Sequence, residues 1–253
     1  MLARAFTPLL VLATIGCGGA PSPSEVDASP PGPDAPAPPP DADLSVPRPG
    51  FGDLSGMCGV LDPVRLTEST PSLVEGHLDF GTDRYDDPAE RPQLTPGGAT
   101  IVASPNEGGS SIFSETFAYE VLARCELATL LKLETQIAYI GPGSKTDLLV
   151  EIDGLKVGVS VTRAMTFPLG QPYTEQAATT LVEDKLAGIL SSSGHVDPAD
   201  AWVKQILAVL AYDDQHAEVF ADAWAAADAE LRADTILVVF VTDGDDTFIY
   251  TDS

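Results

Sequence analysis

The sequence predicts an α/β (α+β) fold in which a mixed sheet is flanked by helices, and three observations support this prediction. Two short strands flank Asp153-Gly154, a strong hairpin signal because both residues tolerate positive φ. The run DTILVVFVT at 234–242 is rich in β-branched residues, which is typical of a buried strand. Apolar residues at helical spacing come before and after the hairpin. The resulting order is helix, three strands, helix and strand.

Residues 1–17 contain a basic Arg4, a short apolar run and then Cys17. The run is too short to span a bilayer, which indicates an export signal. The segment resembles a bacterial lipoprotein signal peptide, with Thr14 where Leu is usual. That resemblance implies cleavage before Cys17, lipidation of its thiol and anchoring in the bacterial cell envelope, at the outer membrane or on the periplasmic side. An ordinary secretory signal that is cut nearby is the alternative.

The next two segments are predicted to contain little regular structure. Residues 18–50 hold 11 of the chain's 22 prolines, which predicts a disordered tether rich in Pro, Ala and Asp. Residues 51–110 have many Gly, Pro and Asp residues and predict an irregular N-terminal extension. Its acidic residues Asp83, Asp86 and Asp87 do not match a Ca²⁺ loop and indicate a solvated acidic loop.

Residues 111–253 form the predicted folded domain. Helix signals cover three stretches and strand signals cover five, while the continuous apolar run at 202–211 fits a strand or a helix. The predicted helices are 111–131, 174–190 and 213–231, and the predicted strands are 132–140, the two strands of the 145–163 hairpin, 234–242 and 247–251.

The other two cysteines, Cys58 and Cys125, predict a disulfide in an exported, oxidising context. Such a bridge joins the irregular segment to the first helix. The competing hypothesis is a catalytic Cys125 assisted by His195 or His216, and no family signature surrounds this cysteine.

The chain of 253 residues has a net charge of -25, and the part after residue 50 carries -22. An acidic surface repels phosphate backbones, and no Lys/Arg cluster is visible in the sequence. The charge therefore argues against a nucleic-acid partner. The predicted partners are a membrane, reached through the N-terminal lipid, and a protein that the sequence does not identify.

The hairpin strands alternate between polar and apolar faces. Asp147, Leu149 and Glu151 share one face of the first strand, while the second strand alternates valines with Ser160 and Thr162. This pattern has two interpretations. It fits an ordinary amphipathic hairpin with a solvated polar face, and it also fits a functional site on the polar face.

The order of elements and Asp147 together resemble the core of the PD-(D/E)xK, or restriction-endonuclease-like, nuclease superfamily, with the order α-β-β-β-α-β. The resemblance implies Asp147 as a carboxylate ligand of Mg²⁺ and places Ser160 and Thr162 at the Glu and Lys positions of the motif. Glu115 or Glu120 takes the position of the assisting helix Glu. In that family the metal stabilises charge on phosphate and the Lys positions the attacking water.

Ser160 and Thr162 are neutral where the family has charged groups, so the motif is degenerate. Glu151 is a candidate substitute carboxylate, which with Asp147 would form a weak metal site. Arg163 is a candidate substitute cation, although strand alternation places it on the opposite face unless a bulge turns it. No cofactor is certain from the sequence, and Mg²⁺ is expected if the site is active.

The sequence therefore supports an exported, lipid-anchored protein with an inactive nuclease-like domain and a binding or structural role. The first alternative is an active metal-dependent nuclease or phosphodiesterase with an altered site that includes Glu115, Asp147, Glu151 and Arg163. A second alternative is a different hydrolase or a small-ligand protein built on a similar sheet.

Overall fold

The structure is a computed structural model that describes residues 44–56, 58–104 and 111–251. Within these ranges seven strands form one sheet in the order β1-β2-β7-β6-β5-β4-β3. The strands are β1 (Asp53–Gly56), β2 (Ser72–Asp79), β3 (Thr129–Leu133), β4 (Leu148–Ile152), β5 (Leu155–Ala164), β6 (Lys204–Ala211) and β7 (Ile236–Asp243).

The helices are α1 (Pro63–Thr67), α2 (Pro96–Ala103), α3 (Ile112–Cys125), α4 (Glu175–His195), α5 (Asp214–Ala226), α6 (Ala229–Arg232) and α7 (Thr247–Tyr250). Short 3₁₀ helices cover Pro88–Gln93 and Glu134–Gln136. Thr174 begins α4 by accepting a hydrogen bond from the amide of Ala177, as expected of an N-cap threonine. Among the described helices, none is long and apolar enough to cross a bilayer.

The sheet is mixed. Strands β2, β7, β6 and β5 are parallel to one another. Strand β1 pairs antiparallel with β2, and β3, β4 and β5 form an antiparallel meander. The hairpin turn has positive φ at both Asp153 (49°) and Gly154 (77°), which matches the right-handed twist of the flanking strands.

Each face of the sheet buries its own hydrophobic cluster. On one face, Phe117 and Leu122 of α3 pack with Val157 and Val159 of β5. On the other face, α4 and α5 cover the strands and bury the side chains of Val182, Leu186, Phe220, Trp224, Leu207 and Val239. Because both faces of the central parallel strands are covered, β6 and β7 contain continuous apolar runs at 206–211 and 236–241 and not alternating patterns.

The fold class predicted from the sequence is confirmed. A mixed sheet is flanked by helices, and α3, β3, β4, β5, α4 and β6 follow one another in the predicted order. Within the ambiguous stretch at 202–211, Lys204–Ala211 forms the central strand β6.

The prediction that residues 51–110 are irregular is wrong for the described residues 51–56 and 58–104. They contain β1, α1, β2, a 3₁₀ helix and α2, and β2 pairs with β7 over its whole length. Gly76 does not interrupt β2. A Cβ atom there would lie 2.5 Å from the carbonyl oxygen of Ser55 and 2.6 Å from the ring of Phe240, so glycine allows two neighbours to approach closely.

Two strand predictions also need correction. The strand expected at 132–140 begins earlier and ends at Leu133, whose amide donates to Gln136 Oε1 at 3.0 Å. The last strand, expected at 247–251, is the short helix α7. A hairpin partner for β7 has no free edge to join, because β2 and β6 already occupy both sides of β7.

The predicted disulfide is present between Cys58 and Cys125, with Cα atoms 4.5 Å apart. It joins the segment after β1 to the last residue of α3, and it removes the free thiol that a catalytic Cys125 requires. The signal peptide, the lipidated Cys17 and most of the tether lie in residues 1–43, outside the described residues, and stay predictions.

Candidate functional site

Asp147 lies immediately before β4, where the ladder between β4 and β5 ends. Its amide donates to the carbonyl oxygen of Val159 at 3.1 Å. Its Oδ2 accepts hydrogen bonds from the amide of Val161 at 2.7 Å and from Ser160 Oγ at 3.2 Å. The carboxylate therefore satisfies a strand amide that lies beyond the last backbone pair of the hairpin.

Lys185 reaches the same place from α4. Its Nζ donates to the carbonyl oxygen of Val161 at 2.8 Å. Both backbone groups of Val161 are thus bonded to side chains, one acidic and one basic. Burial raises the pKa of Asp147 above its usual range, while the Lys185 charge and the hydrogen bonds from Val161 and Ser160 oppose that rise.

Glu115 approaches from the first turn of α3 and is half-buried. Burial raises the pKa of Glu115 to about 7, and the negative charge of Asp147 adds to this increase. A hydrogen bond with Ser111 and the charge of Lys185 act in the opposite direction. A carboxyl group whose pKa is raised by burial, within the electrostatic influence of a second acid and an ammonium group, is common at functional sites.

We call Glu115, Asp147, Ser160 and Lys185 the Asp147 cluster. It combines two acids, a hydroxyl group and an ammonium group, which come from α3, β5, α4 and the residue before β4. Two of the sequence-predicted acids, Glu115 and Asp147, are brought together here. Lys185 was missed by the sequence analysis, because it lies 24 residues after Val161 on a helix and no local motif links the two.

Glu151 lies apart from this cluster. It is exposed, and it pairs in register with Lys156 of β5 and Thr129 of β3. Four strand positions separate it from Asp147, which corresponds to about 13 Å along the strand. Glu151 therefore does not supply the second carboxylate beside Asp147.

Arg163 also contacts a different part of the chain from Asp147. Its Nη1 donates to the carbonyl oxygen of Ile249 at 3.0 Å, and its charge opposes the rise in the pKa of the buried Tyr250. Thr162 is half-buried and follows Ser160 by two residues, so strand alternation puts both on one face of β5. The cation near Asp147 comes from α4 and not from β5.

The other candidate acid on α3, Glu120, connects two helices. It is fully buried, and its Oε1 accepts from the amide of Thr95 at 2.9 Å and from Thr95 Oγ1 at 2.6 Å. Thr95 is the N-cap of α2. Glu120 therefore fixes the start of α2 against α3, and Glu115 is the α3 acid of the cluster.

The capacity of the cluster for a metal ion is small. Among residues 44–56, 58–104 and 111–251, no group of three or more His, Cys, Asp or Glu side chains is placed to hold one. The cluster offers the carboxylates of Glu115 and Asp147, and one oxygen of Asp147 already accepts two hydrogen bonds. Mg²⁺ favours near-ideal octahedral oxygen coordination, which two acids fill only with additional water or substrate oxygens.

Comparison with known proteins gives two similarities. No family model matches the chain. The AAC-rich mRNA clone AAC4 protein of Dictyostelium discoideum is 39% identical over 153 residues, which cover 58% of this chain and 22% of that protein. The chain thus spans about a fifth of the length of this relative.

Among solved structures, SfsA of Pyrococcus furiosus in complex with Ca²⁺ is similar over 53% of this chain and 56% of that one, at 11% sequence identity and a TM-score of 0.25. At these coverages and this TM-score, the two similarities assign no family to the chain.

Proposed function

We propose that this chain is an exported, lipid-anchored protein whose nuclease-like domain has a binding or structural role and lacks nuclease activity. The hydrogen bonding of Asp147 carries this proposal. In an active site of the restriction-endonuclease-like type, this carboxylate must be available to a metal ion. Here Oδ2 accepts from Ser160 and Val161, so the acid completes the fold at the end of a strand ladder.

The charges around Asp147 support the same proposal. Ser160 and Thr162 are neutral at the two positions where the family has a second ligand and a water-positioning lysine. Hydrolysis of a phosphodiester requires a metal or other cation held beside the scissile phosphate. The net charge of -22 after residue 50 also opposes the approach of a polyanionic substrate.

A cleavage assay tests this proposal on the full chain, with DNA and RNA substrates, Mg²⁺ or Mn²⁺ and low salt. We expect no more than trace cleavage. The double variant Ser160→Glu with Thr162→Lys is expected to bind Mn²⁺ more tightly by calorimetry, with little gain in cleavage. Robust cleavage by the wild type that disappears in Asp147→Ala contradicts the proposal.

An active nuclease with an altered site is the second candidate, and the position of Lys185 favours it. The ammonium group of Lys185 acts electrostatically on both Asp147 and Glu115. It therefore supplies, from a helix, the positive charge that Thr162 lacks. If this candidate holds, Lys185→Met abolishes metal-dependent cleavage, whereas Lys145→Met, which removes an exposed lysine paired with Glu134, leaves it unchanged.

The lipid anchor is the remaining part of the proposal and has its own test. The sequence supports it, since a short apolar segment ends at Cys17 and precedes a Pro-rich stretch. We expect palmitate to label the chain during expression in a bacterial host. The same experiment on Cys17→Ser is expected to give no label, and equal labelling of both proteins rules out lipidation at this cysteine.

A further inference from the structure

A groove of about 620 Å³ lies between α5 and the β2–β7 part of the sheet. It is on the face that α4 and α5 cover, at the end of the sheet near β1. We call it the α5 groove. Its lining includes none of the residues of the Asp147 cluster, so an inference about it is independent of the proposed function.

The floor of the α5 groove is apolar. It consists of Leu73 of β2, Val239 and Val241 of β7, and the α5 side chains Ala217, Ala221 and Ala225. Val239 and Val241 belong to the buried cluster on this face, and Leu73 packs against that cluster while part of its surface stays exposed. The hydrophobic core of this face therefore continues into the groove.

The rim of the groove is acidic. Glu75, Asp214, Glu218 and Asp222 line it, and none of the described lining residues is Lys or Arg. The rim also contains His77, whose Nδ1 lies 2.9 Å from Asp243 Oδ2. An apolar floor between carboxylates matches a ligand that has an apolar face bordered by positive charges.

We propose that the α5 groove binds an amphipathic helix of another protein, one that carries Lys and Arg on both sides of an apolar stripe. The alanines of α5 recur every four residues and lack bulk, which lets a second helix approach closely along one ridge. The stretch from Ala217 to Ala225 corresponds to about 12 Å, or roughly two helical turns of contact.

Charge distinguishes this partner from two occupants that the chain itself could provide. Residues 1–43 contain five acidic residues and one basic residue, and a second copy of the chain carries a net charge of -25. Both are repelled by an acidic rim. A cationic helix gains from the rim and from burial of the floor.

The test measures binding of labelled peptides to the full chain by fluorescence anisotropy. The first peptide has about 15 residues with Leu at helical spacing and Lys elsewhere, and the second has the same composition in an order without that spacing. We expect the first to bind at least about tenfold more tightly than the second. Equal binding of the two peptides overturns the proposal, since it indicates general attraction to an acidic protein.

Matched variants on two helices locate the site. Ala225 of α5 and Ala187 of α4 are both exposed helical alanines, and only Ala225 lines the groove. We expect Ala225→Lys to weaken binding of the first peptide by about fivefold and Ala187→Lys to leave it unchanged. Equal effects of the two substitutions overturn the proposal.

A second pair tests the charge of the rim. Neutralising Glu218 and Asp222 of α5, as Glu218→Gln with Asp222→Asn, is expected to weaken binding by about tenfold and to reduce its salt dependence. The control neutralises the exposed acids Glu183 and Asp184 of α4 in the same way and removes the same net charge. A loss of affinity in the control as large as in the α5 variant contradicts binding at the groove.

Discussion

Glu115 has a carboxyl group whose pKa lies well above its ordinary value. Its pKa is raised to about 7 by burial and by the nearby charge of Asp147. Between pH 4.5 and 7 the folded protein therefore holds a proton that the unfolded chain has released. The free energy of unfolding consequently falls as pH rises through this range.

The substitution Glu115→Gln tests this relation, because the amide carries no charge at any pH. We expect the variant to be more stable than the wild type by about 1–3 kcal/mol at pH 8 and nearly equal to it at pH 4. Urea unfolding at both values measures the difference. Glu183→Gln on the exposed face of α4 serves as the control, and a gain in Glu115→Gln that is the same at pH 4 and pH 8 disproves the explanation.

The sequence predicted part of the Asp147 cluster. Asp147 and Glu115 were identified because one acid at the start of a strand and another on the preceding helix match a known order of elements. Lys185 was not identified, because its contact with Val161 depends on how α4 crosses the sheet. Glu151 was expected to act with Asp147 because both share a strand face, but four strand positions, or about 13 Å, separate the two residues.

Among the secondary-structure elements, the hairpin was predictable because Asp153-Gly154 fixes its turn by local backbone preference alone. Strand β2 was missed for the opposite reason. Val74, Gly76 and Leu78 alternate with exposed or half-buried residues, so the period of a strand is present. The many Gly, Pro and Asp residues of 51–110 predicted irregular structure instead, and the packing against β1 and Phe240 shows why a glycine is needed at position 76.

Helix α7 was predicted as a strand that follows a turn at Asp243-Gly244, and its packing explains the difference. Phe248 lies edge-on to Phe80, Phe113 and Phe117, with ring centroids 5.0, 5.7 and 5.5 Å away. Burial of this ring against three others outweighs the local preference of a four-residue segment.

We expect Phe248→Ala to lower the free energy of unfolding by about 3–5 kcal/mol, because it leaves a cavity among rings that cannot all move inward. The exposed neighbour Thr247 provides a control, and Thr247→Ala is expected to change stability by less than about 0.5 kcal/mol. Denaturant unfolding measures both variants. A loss below about 1 kcal/mol in Phe248→Ala means that the ring cluster does not hold α7 in place.

The whole molecule is strongly acidic, and its negative charges repel one another most strongly when the chain is compact. The part after residue 50 carries a net charge of -22. At about 0.1 M salt, repulsion between exposed charges that are more than about 10 Å apart is largely screened. The compact state gains more from this screening than the expanded unfolded chain.

Thermal unfolding in NaCl tests this effect. We expect the midpoint to rise as NaCl increases from about 10 mM to about 500 mM, with most of the rise below about 150 mM, where screening changes fastest. The variant Glu183→Lys with Asp184→Lys removes four units of net negative charge from the surface of α4 and is expected to show a smaller rise. A midpoint that is constant or falls over this range contradicts the role of repulsion.

The position of β7 in the sheet has a consequence for the order in which the protein forms. Of the seven described strands, β7 is the last to be synthesised, yet it lies between β2 and β6. Until the ribosome has passed residue 243, the β1–β2 pair has no strand to join it to the strands β3 to β6. Any part-sheet that forms before β7 is in place therefore has an unpaired edge, and among the described strands β7 alone joins the two parts.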